Sequence, residues 1–80
     1  MSQDIEMLQQ MTADPRAWVA ERASIALGMI QQHDIGEITT EEYQELMLDL
    51  VRADRLDEEA DDLEVKTMLV TAIYGAAQII

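Results

Sequence analysis

The chain has 80 residues, a formal net charge of −12 and no cysteine, and 49% of its residues are apolar. The apolar fraction argues against a disordered chain, and the lack of cysteine excludes disulfides and thiolate metal sites. A chain of this length buries only about 60% of the surface that its unfolded form exposes. We therefore predict one acidic domain over residues 1–80, with a core of aliphatic side chains.

The negative charge is concentrated in the middle of the chain. Residues 1–33 carry −2, residues 34–64 carry −11 and residues 65–80 carry +1. Such a field repels nucleic-acid phosphates and anionic membrane surfaces. We therefore expect no direct nucleic-acid binding and no membrane binding.

Helix signals dominate the sequence and predict an all-α bundle of three main helices plus a short N-terminal helix over about 2–10. The first main helix is predicted over about 15–34. Asp14 and Pro15 are typical of an N-cap and a first helical position. Gly36 then supplies the left-handed residue at which helices commonly end.

The second main helix is predicted over about 39–53, where the local signals are clearest. Thr39 followed three residues later by Glu42 makes a capping box, and Ile38 with Tyr43 fits a hydrophobic staple. The apolar residues that follow have helical spacing and predict a single buried stripe. They are Tyr43, Leu46, Met47, Leu50 and Val51.

The third main helix is predicted over about 57–80. Acidic residues crowd its first turns, where they complement the helix dipole, and residues 67–80 carry no charge. A helix that is apolar all round is buried on most sides, either inside this bundle or between chains. The small residues Ala72, Gly75 and Ala76 would admit a close neighbouring helix, from the same chain or from a second copy. The uncharged segment is shorter than the roughly 20 residues that span a bilayer.

No catalytic or metal-binding pattern emerges from the sequence. His33 is the only histidine and falls in the last turn of a predicted helix, where a structural role is favoured. The acidic run over residues 54–64 has Glu59 where a calcium-binding EF-hand loop needs glycine. We therefore predict a protein that is not an enzyme and that uses no cofactor or metal.

Residues 35–43 resemble the start of SHOCT-type modules, which are short helical domains with the pattern Gly-x-Ile-Thr-x-Glu-Glu-aromatic. A capping box selects the same residues, and the rest of the chain lacks the lysine-rich pattern of that family. We assign no family from this resemblance.

Two candidate partner-binding surfaces follow from the charge and apolar patterns. Like charges four residues apart on a helix are mildly destabilising, so an acidic row suggests either a use or added solubility. The predicted acidic face is made of Glu41, Glu45, Asp49, Asp57, Glu58, Asp61 and Asp62. The predicted apolar surface is whatever the monomer leaves uncovered of Met68, Ile73, Tyr74, Ile79 and Ile80.

Two classes of function are compatible with these patterns. The first is a non-enzymatic interaction or assembly factor, such as a helical adaptor, chaperone or structural subunit, that binds a protein partner or a second copy of itself. The second is an acidic inhibitor, of the kind that bacteriophages encode, which imitates nucleic acid and blocks the basic cleft of an enzyme. We favour the first class because an apolar helix is harder to explain by solubility than an acidic face. The acidic start and the lack of cysteine predict a protein without a signal peptide, in the cytoplasm.

Overall fold

The computed structural model of the chain describes residues 3–52 and 54–78, without the side chains of residues 54, 55 and 57. Within these residues the fold is all-helical and contains no strand, as the sequence predicts. Five helices follow one another: α1 Gln3–Met11, α2 Ala17–Asp34, α3 Thr40–Arg52, α4 Asp54–Glu59 and α5 Leu63–Ala77.

Helix α2 begins two residues later than the sequence predicts. The side chain of Asp14 accepts a hydrogen bond from the backbone N–H of Arg16 at 2.8 Å. This is a turn that aspartate forms with the backbone two residues on. Arg16 is the last extended residue before the helix and provides no side-chain cap. The predicted N-cap role of Asp14 is therefore wrong, because its carboxylate stabilises the preceding turn instead.

The end of α2 follows the sequence prediction. Gly36 has a φ of 80°, the left-handed conformation that favours glycine. Its N–H donates to the carbonyl of His33 at 3.1 Å, and the N–H of Glu37 donates to the carbonyl of Gln32 at 2.9 Å. This pair of bonds is the Schellman motif, which satisfies carbonyls that a helix end leaves free.

The capping box at the start of α3 is also confirmed. The N–H of Glu42 donates to the Thr39 hydroxyl at 3.1 Å, and the N–H of Thr39 donates to the Glu42 carboxylate at 3.0 Å. Thus two backbone donors at the helix start find partners within four residues of sequence. The tight turn and the capping box together set α3 against α2.

Replacing Thr39 with Ala is expected to lower the free energy of unfolding by about 1 kcal/mol through loss of the cap. Glu42→Ala should act in the same direction, and non-additively with it, because the two side chains form one reciprocal unit. Hydrogen bonds from the Thr39 backbone and then its side chain lower the pKa of Glu42. A lowered folded-state pKa means that this contribution is present at neutral pH and is lost as pH falls through the carboxylate range. Urea unfolding of the two single variants and the double variant provides the measurement, and strict additivity would contradict the reciprocal cap.

The predicted third helix is in fact two helices. The short helix α4 ends at Glu59, and α5 begins at Leu63 after a non-helical link, residues 60–62. Asp62 is the extended N-cap of α5, and its carboxylate accepts a hydrogen bond from the N–H of Val65 at 3.2 Å. The prediction of one helix over 57–80 is therefore wrong, because Asp62 starts a new helix instead of continuing an earlier one.

Helix α5 is the centre of the bundle and packs against α1, α2 and α3. Leu69 and Ile73 are fully buried, which confirms that the uncharged segment supplies the core. A Cβ atom on Gly75 would meet the carboxylate of Asp4 in α1, so glycine is what allows this close approach. The rest of the buried core comes from every helix. It comprises Leu8, Met11, Trp18, Val19, Ala23, Ala26, Tyr43, Met47, Leu56, Ala72, Ala76 and Ala77.

Candidate protein-interaction surface

The apolar surface predicted on α5 is divided by the structure. Ile73 is 0% exposed and contributes to the core, so it is not part of the surface that the monomer leaves uncovered. Met68 and Tyr74 are 47% and 38% exposed, but six residues of helix place them about 120° apart around its axis. Met68 borders a pocket with α1, whereas Tyr74 borders one with α3. Ile79 and Ile80 lie outside the described residues.

The small residues of α5 are used within the chain. Ala72 and Ala76 are buried, and Gly75 faces Asp4 of α1. The neighbouring helix that these residues admit is therefore α1 of the same chain. This arrangement accounts for the small residues without a second copy.

The acidic face predicted from the sequence separates into an exposed row and a structural link. Glu41, Glu45 and Asp49 are exposed along α3, at intervals of four residues that place them on one side of the helix. Glu58 on α4 is also exposed. Asp61 and Asp62 instead belong to the link between α4 and α5, and the side chain of Asp57 lies outside the described part of the chain.

The start of α2 holds this link. The guanidinium of Arg16 lies 3.4 Å from the carboxylate of Asp62, and the indole N–H of Trp18 donates to the carboxylate of Asp61 at 3.2 Å. Asp62 also caps α5, so this one side chain connects the start of α2 to the start of α5. Asp61 and Asp62 thus have structural contacts within the fold.

Arg22 makes a second connection between α2 and α4. Its guanidinium is nearly buried and donates at 3.0 Å both to the carbonyl of Trp18 and to the carboxylate of Glu59. A buried guanidinium needs such partners, because an unpaired charge away from water is costly. Two of the five basic residues, Arg16 and Arg22, are therefore paired within the fold.

Between α2 and α3 lies an open groove with an apolar floor. Ile25 and Met29 line it from α2, and Leu46 and Leu50 line it from α3. Ile25 is 47% exposed and Leu46 is 37% exposed, so the bundle leaves them uncovered. These uncovered apolar side chains make the groove a candidate interaction site.

Acidic side chains also line the groove. Glu21 lies on the α2 side and Asp49 on the α3 side, while the Arg22–Glu59 pair lines it as well. Neither Glu21 nor Asp49 forms an ion pair or a side-chain hydrogen bond with any residue that the structure describes. Both are exposed, and their charges are thus available to a ligand of opposite sign.

Sequence reasoning identified Asp49 but missed the groove itself. Leu46 and Leu50 belong to the stripe predicted to be buried, and Ile25 and Met29 belong to a second, wider apolar stripe, which the residues from Trp18 to Ile30 form on α2. The only signal was the width of that second stripe, which exceeds what one neighbouring helix covers.

His33 and Tyr43 meet where α2 joins α3. Their rings stack with centroids 4.7 Å apart. The Nε2 atom of His33 lies 3.1 Å from the Thr40 hydroxyl. The Tyr43 hydroxyl donates to the carbonyl of Ala76 at 2.7 Å and so joins α3 to α5. Burial, and secondarily the charge of Asp34, raises the pKa of Tyr43 to about 12.

Among the residues described, no group of three or more histidine, aspartate and glutamate side chains could hold a metal ion. In the same part of the chain, no helix is long and apolar enough to cross a membrane. Comparison with protein-family models, with curated proteins and with solved structures yields no match.

Proposed function

We propose that this protein is a non-enzymatic interaction or assembly factor that binds a protein partner in the groove between α2 and α3. The observation that carries the proposal is the exposure of Ile25 and Leu46 in one groove with acidic groups that form no ion pair within the described part of the chain. Exposed acidic side chains are explained by solubility alone, but exposed apolar side chains are not, because they lower solubility. The combination therefore favours binding over a merely solubilising role.

The distribution of basic residues supports the same proposal. Arg16 and Arg22 are paired with carboxylates of residues 59–62, on the link side of the bundle. The exposed row on α3 has no such compensation from within the described residues. A partner with a basic surface would thus meet an acidic field close to the groove, which accelerates association and fixes orientation.

Nucleic-acid mimicry is the second candidate function. The exposed row of Glu41, Glu45 and Asp49 favours it, because a mimic must present regularly spaced negative charge to a basic cleft. A mimic has no need of an apolar floor beside that charge. The two functions therefore differ in whether Ile25 and Leu46 contribute to binding.

Affinity capture from the natural host separates these candidates. The double variant Ile25→Ser with Leu46→Ser is expected to lose the partner, because it makes the floor polar while sparing the fully buried core. Leu63→Ser is the matched control, since Leu63 is 77% exposed and lies away from the groove. Circular dichroism establishes that each variant is folded.

The result expected from the groove proposal is retention of the partner by the Leu63 variant and its loss by the double variant. The triple variant in which Glu41, Glu45 and Asp49 are replaced by Lys tests the mimicry candidate. If that variant alone lost the partner while the double variant kept it, mimicry would replace the interaction-factor proposal. Loss of the partner by the Leu63 variant alone would move the binding surface to α5.

A further inference from the structure

Two helices bound the apolar part of the groove. Ile25 and Met29 are four residues apart on α2, and Leu46 and Leu50 are four apart on α3. Each pair thus spans about 6 Å along its helix. A floor of this length, bounded by two helices, accepts apolar side chains at positions i and i+3 or i+4 of an amphipathic helix.

The charges that line the groove define the rest of that helix. Glu21 lines the groove from α2 and Asp49 lines it from α3, and both are unpaired among the described residues. A helix lying in the groove would place the residues that flank its apolar stripe against these two carboxylates. Lysine or arginine there would form ion pairs, whereas glutamate or aspartate would be repelled.

We propose that the groove between α2 and α3 binds a basic amphipathic helix of another protein. This inference rests on the proposed function and specifies the chemistry of the partner. Apolar side chains of the partner helix occupy the floor formed by Ile25, Met29, Leu46 and Leu50, and its lysine or arginine residues pair with Glu21 and Asp49. The acidic row on α3 attracts the same helix during encounter.

A second copy of the chain does not fit this groove. The exposed helix surfaces beside the groove carry Glu21, Glu45 and Asp49, so two copies meeting there would bring like charges together. The chain holds only five basic residues, of which Arg16 and Arg22 are paired inside the fold. A cationic partner complements the site, and self-association through it is disfavoured.

A synthetic peptide tests this proposal without knowledge of the natural partner. The probe is a labelled helical peptide of about 15 residues, with leucines on one face and lysines and arginines on both flanks of that face. One control peptide has the same composition in an order that spreads leucine around the helix. A second control replaces every basic residue with glutamate. Fluorescence anisotropy measures affinity, and amide chemical shifts of the full-length chain locate the binding site.

The amphipathic basic peptide is expected to bind at least about tenfold more tightly than either control. The largest amide shifts should fall on α2 and α3 around Ile25 and Leu46. Leu46→Ala should weaken binding by about tenfold, whereas Leu63→Ala, an equal truncation away from the groove, should leave it unchanged. Asp49→Lys should weaken binding by several-fold. Glu6→Lys, the matched charge reversal at an exposed position of α1, should change it little.

Three outcomes would overturn the proposal. Equal binding of the amphipathic peptide and of the basic control with leucine spread around the helix would mean that charge alone is recognised. Equal binding of the glutamate peptide would remove the role of Glu21 and Asp49. Amide shifts confined to α1 or α5, or shifts that mark an interface between two copies, would place the site elsewhere.

Failure of the peptide test can be told apart from failure of the proposed function. If the double variant of Ile25 and Leu46 loses its captured host partner while no basic peptide binds, the groove is an interaction site for a partner of different chemistry. If the double variant captures the partner as well as the unmodified protein does, the function proposed for the groove is itself wrong.

Discussion

Replacing Leu69 or Ile73 with Ala is expected to lower the free energy of unfolding by about 2–5 kcal/mol in each case. Both side chains are 0% exposed and lie in the helix against which α1, α2 and α3 pack. Truncation of a buried aliphatic residue removes its transfer free energy and leaves a cavity in a core that closes only partly around it. Total stabilities of small domains are about 5–15 kcal/mol, so a loss of this size is a large fraction of the whole.

Urea unfolding followed by circular dichroism measures these losses. Leu63→Ala is the matched control within the same helix, because Leu63 is 77% exposed and its truncation should change stability by no more than about 0.5 kcal/mol. If the Leu69 and Ile73 variants were as stable as the unmodified protein, α5 could not be the central helix of the monomer.

Raising the pH from about 10 to about 12 is expected to remove about 2 kcal/mol of stability through Tyr43. Burial is the main cause that raises the pKa of this phenol to about 12 from its ordinary value of 10.0, and each pKa unit corresponds to about 1.4 kcal/mol. The folded state therefore binds the proton more tightly than the unfolded state does. Its contribution is complete below the unfolded pKa and is lost as pH rises through the folded one.

The two tyrosines of the chain provide an internal comparison for this pH effect. Tyr43→Phe should cost about 1 kcal/mol at neutral pH, because the hydrogen bond to the Ala76 carbonyl is lost. It should also flatten the alkaline part of the stability curve. Tyr74→Phe is the matched control, because it removes the hydroxyl of the other tyrosine, which is 38% exposed. An unchanged alkaline slope in the Tyr43 variant would show that other groups cause it.

The sequence predicted those features of the fold that depend on neighbouring residues. The capping box of Thr39 and Glu42 and the turn at Gly36 are each complete within six residues of chain. The uncharged run over residues 67–80 predicted a core helix, because a helix that is apolar all round is stable in water only when it is buried on most sides. These predictions needed no knowledge of which helix packs where.

The break between α4 and α5 could not be predicted in the same way. Acidic residues at a helix start look alike in sequence whether they lie in its first turn or before it. Here Asp62 becomes the N-cap and Arg16, 46 residues earlier, pairs with it. That choice depends on a tertiary contact, which the local pattern does not contain.

The candidate site shows the same division between local and tertiary information. The exposed row of Glu41, Glu45 and Asp49 was predicted from spacing alone. The groove depends on how far apart α2 and α3 stand at Ile25 and Leu46, and helical spacing assigns both residues simply to apolar stripes. Which of the apolar residues of α5 stay uncovered was likewise left open by the sequence, and the structure buries Ile73 in a helix that packs against three others.

Trp18 is the only tryptophan of the chain, and its indole N–H donates to Asp61 in the link between α4 and α5. Its fluorescence therefore reports whether that link is docked on α2, whereas far-ultraviolet circular dichroism reports the helices together. Coincident urea transitions by the two signals would mean that the link and the bundle unfold as one cooperative unit. An earlier change in fluorescence would mean that the link detaches first, as a separate unit of lower stability. One natural chromophore thus allows the order of unfolding to be read at this junction without any added label.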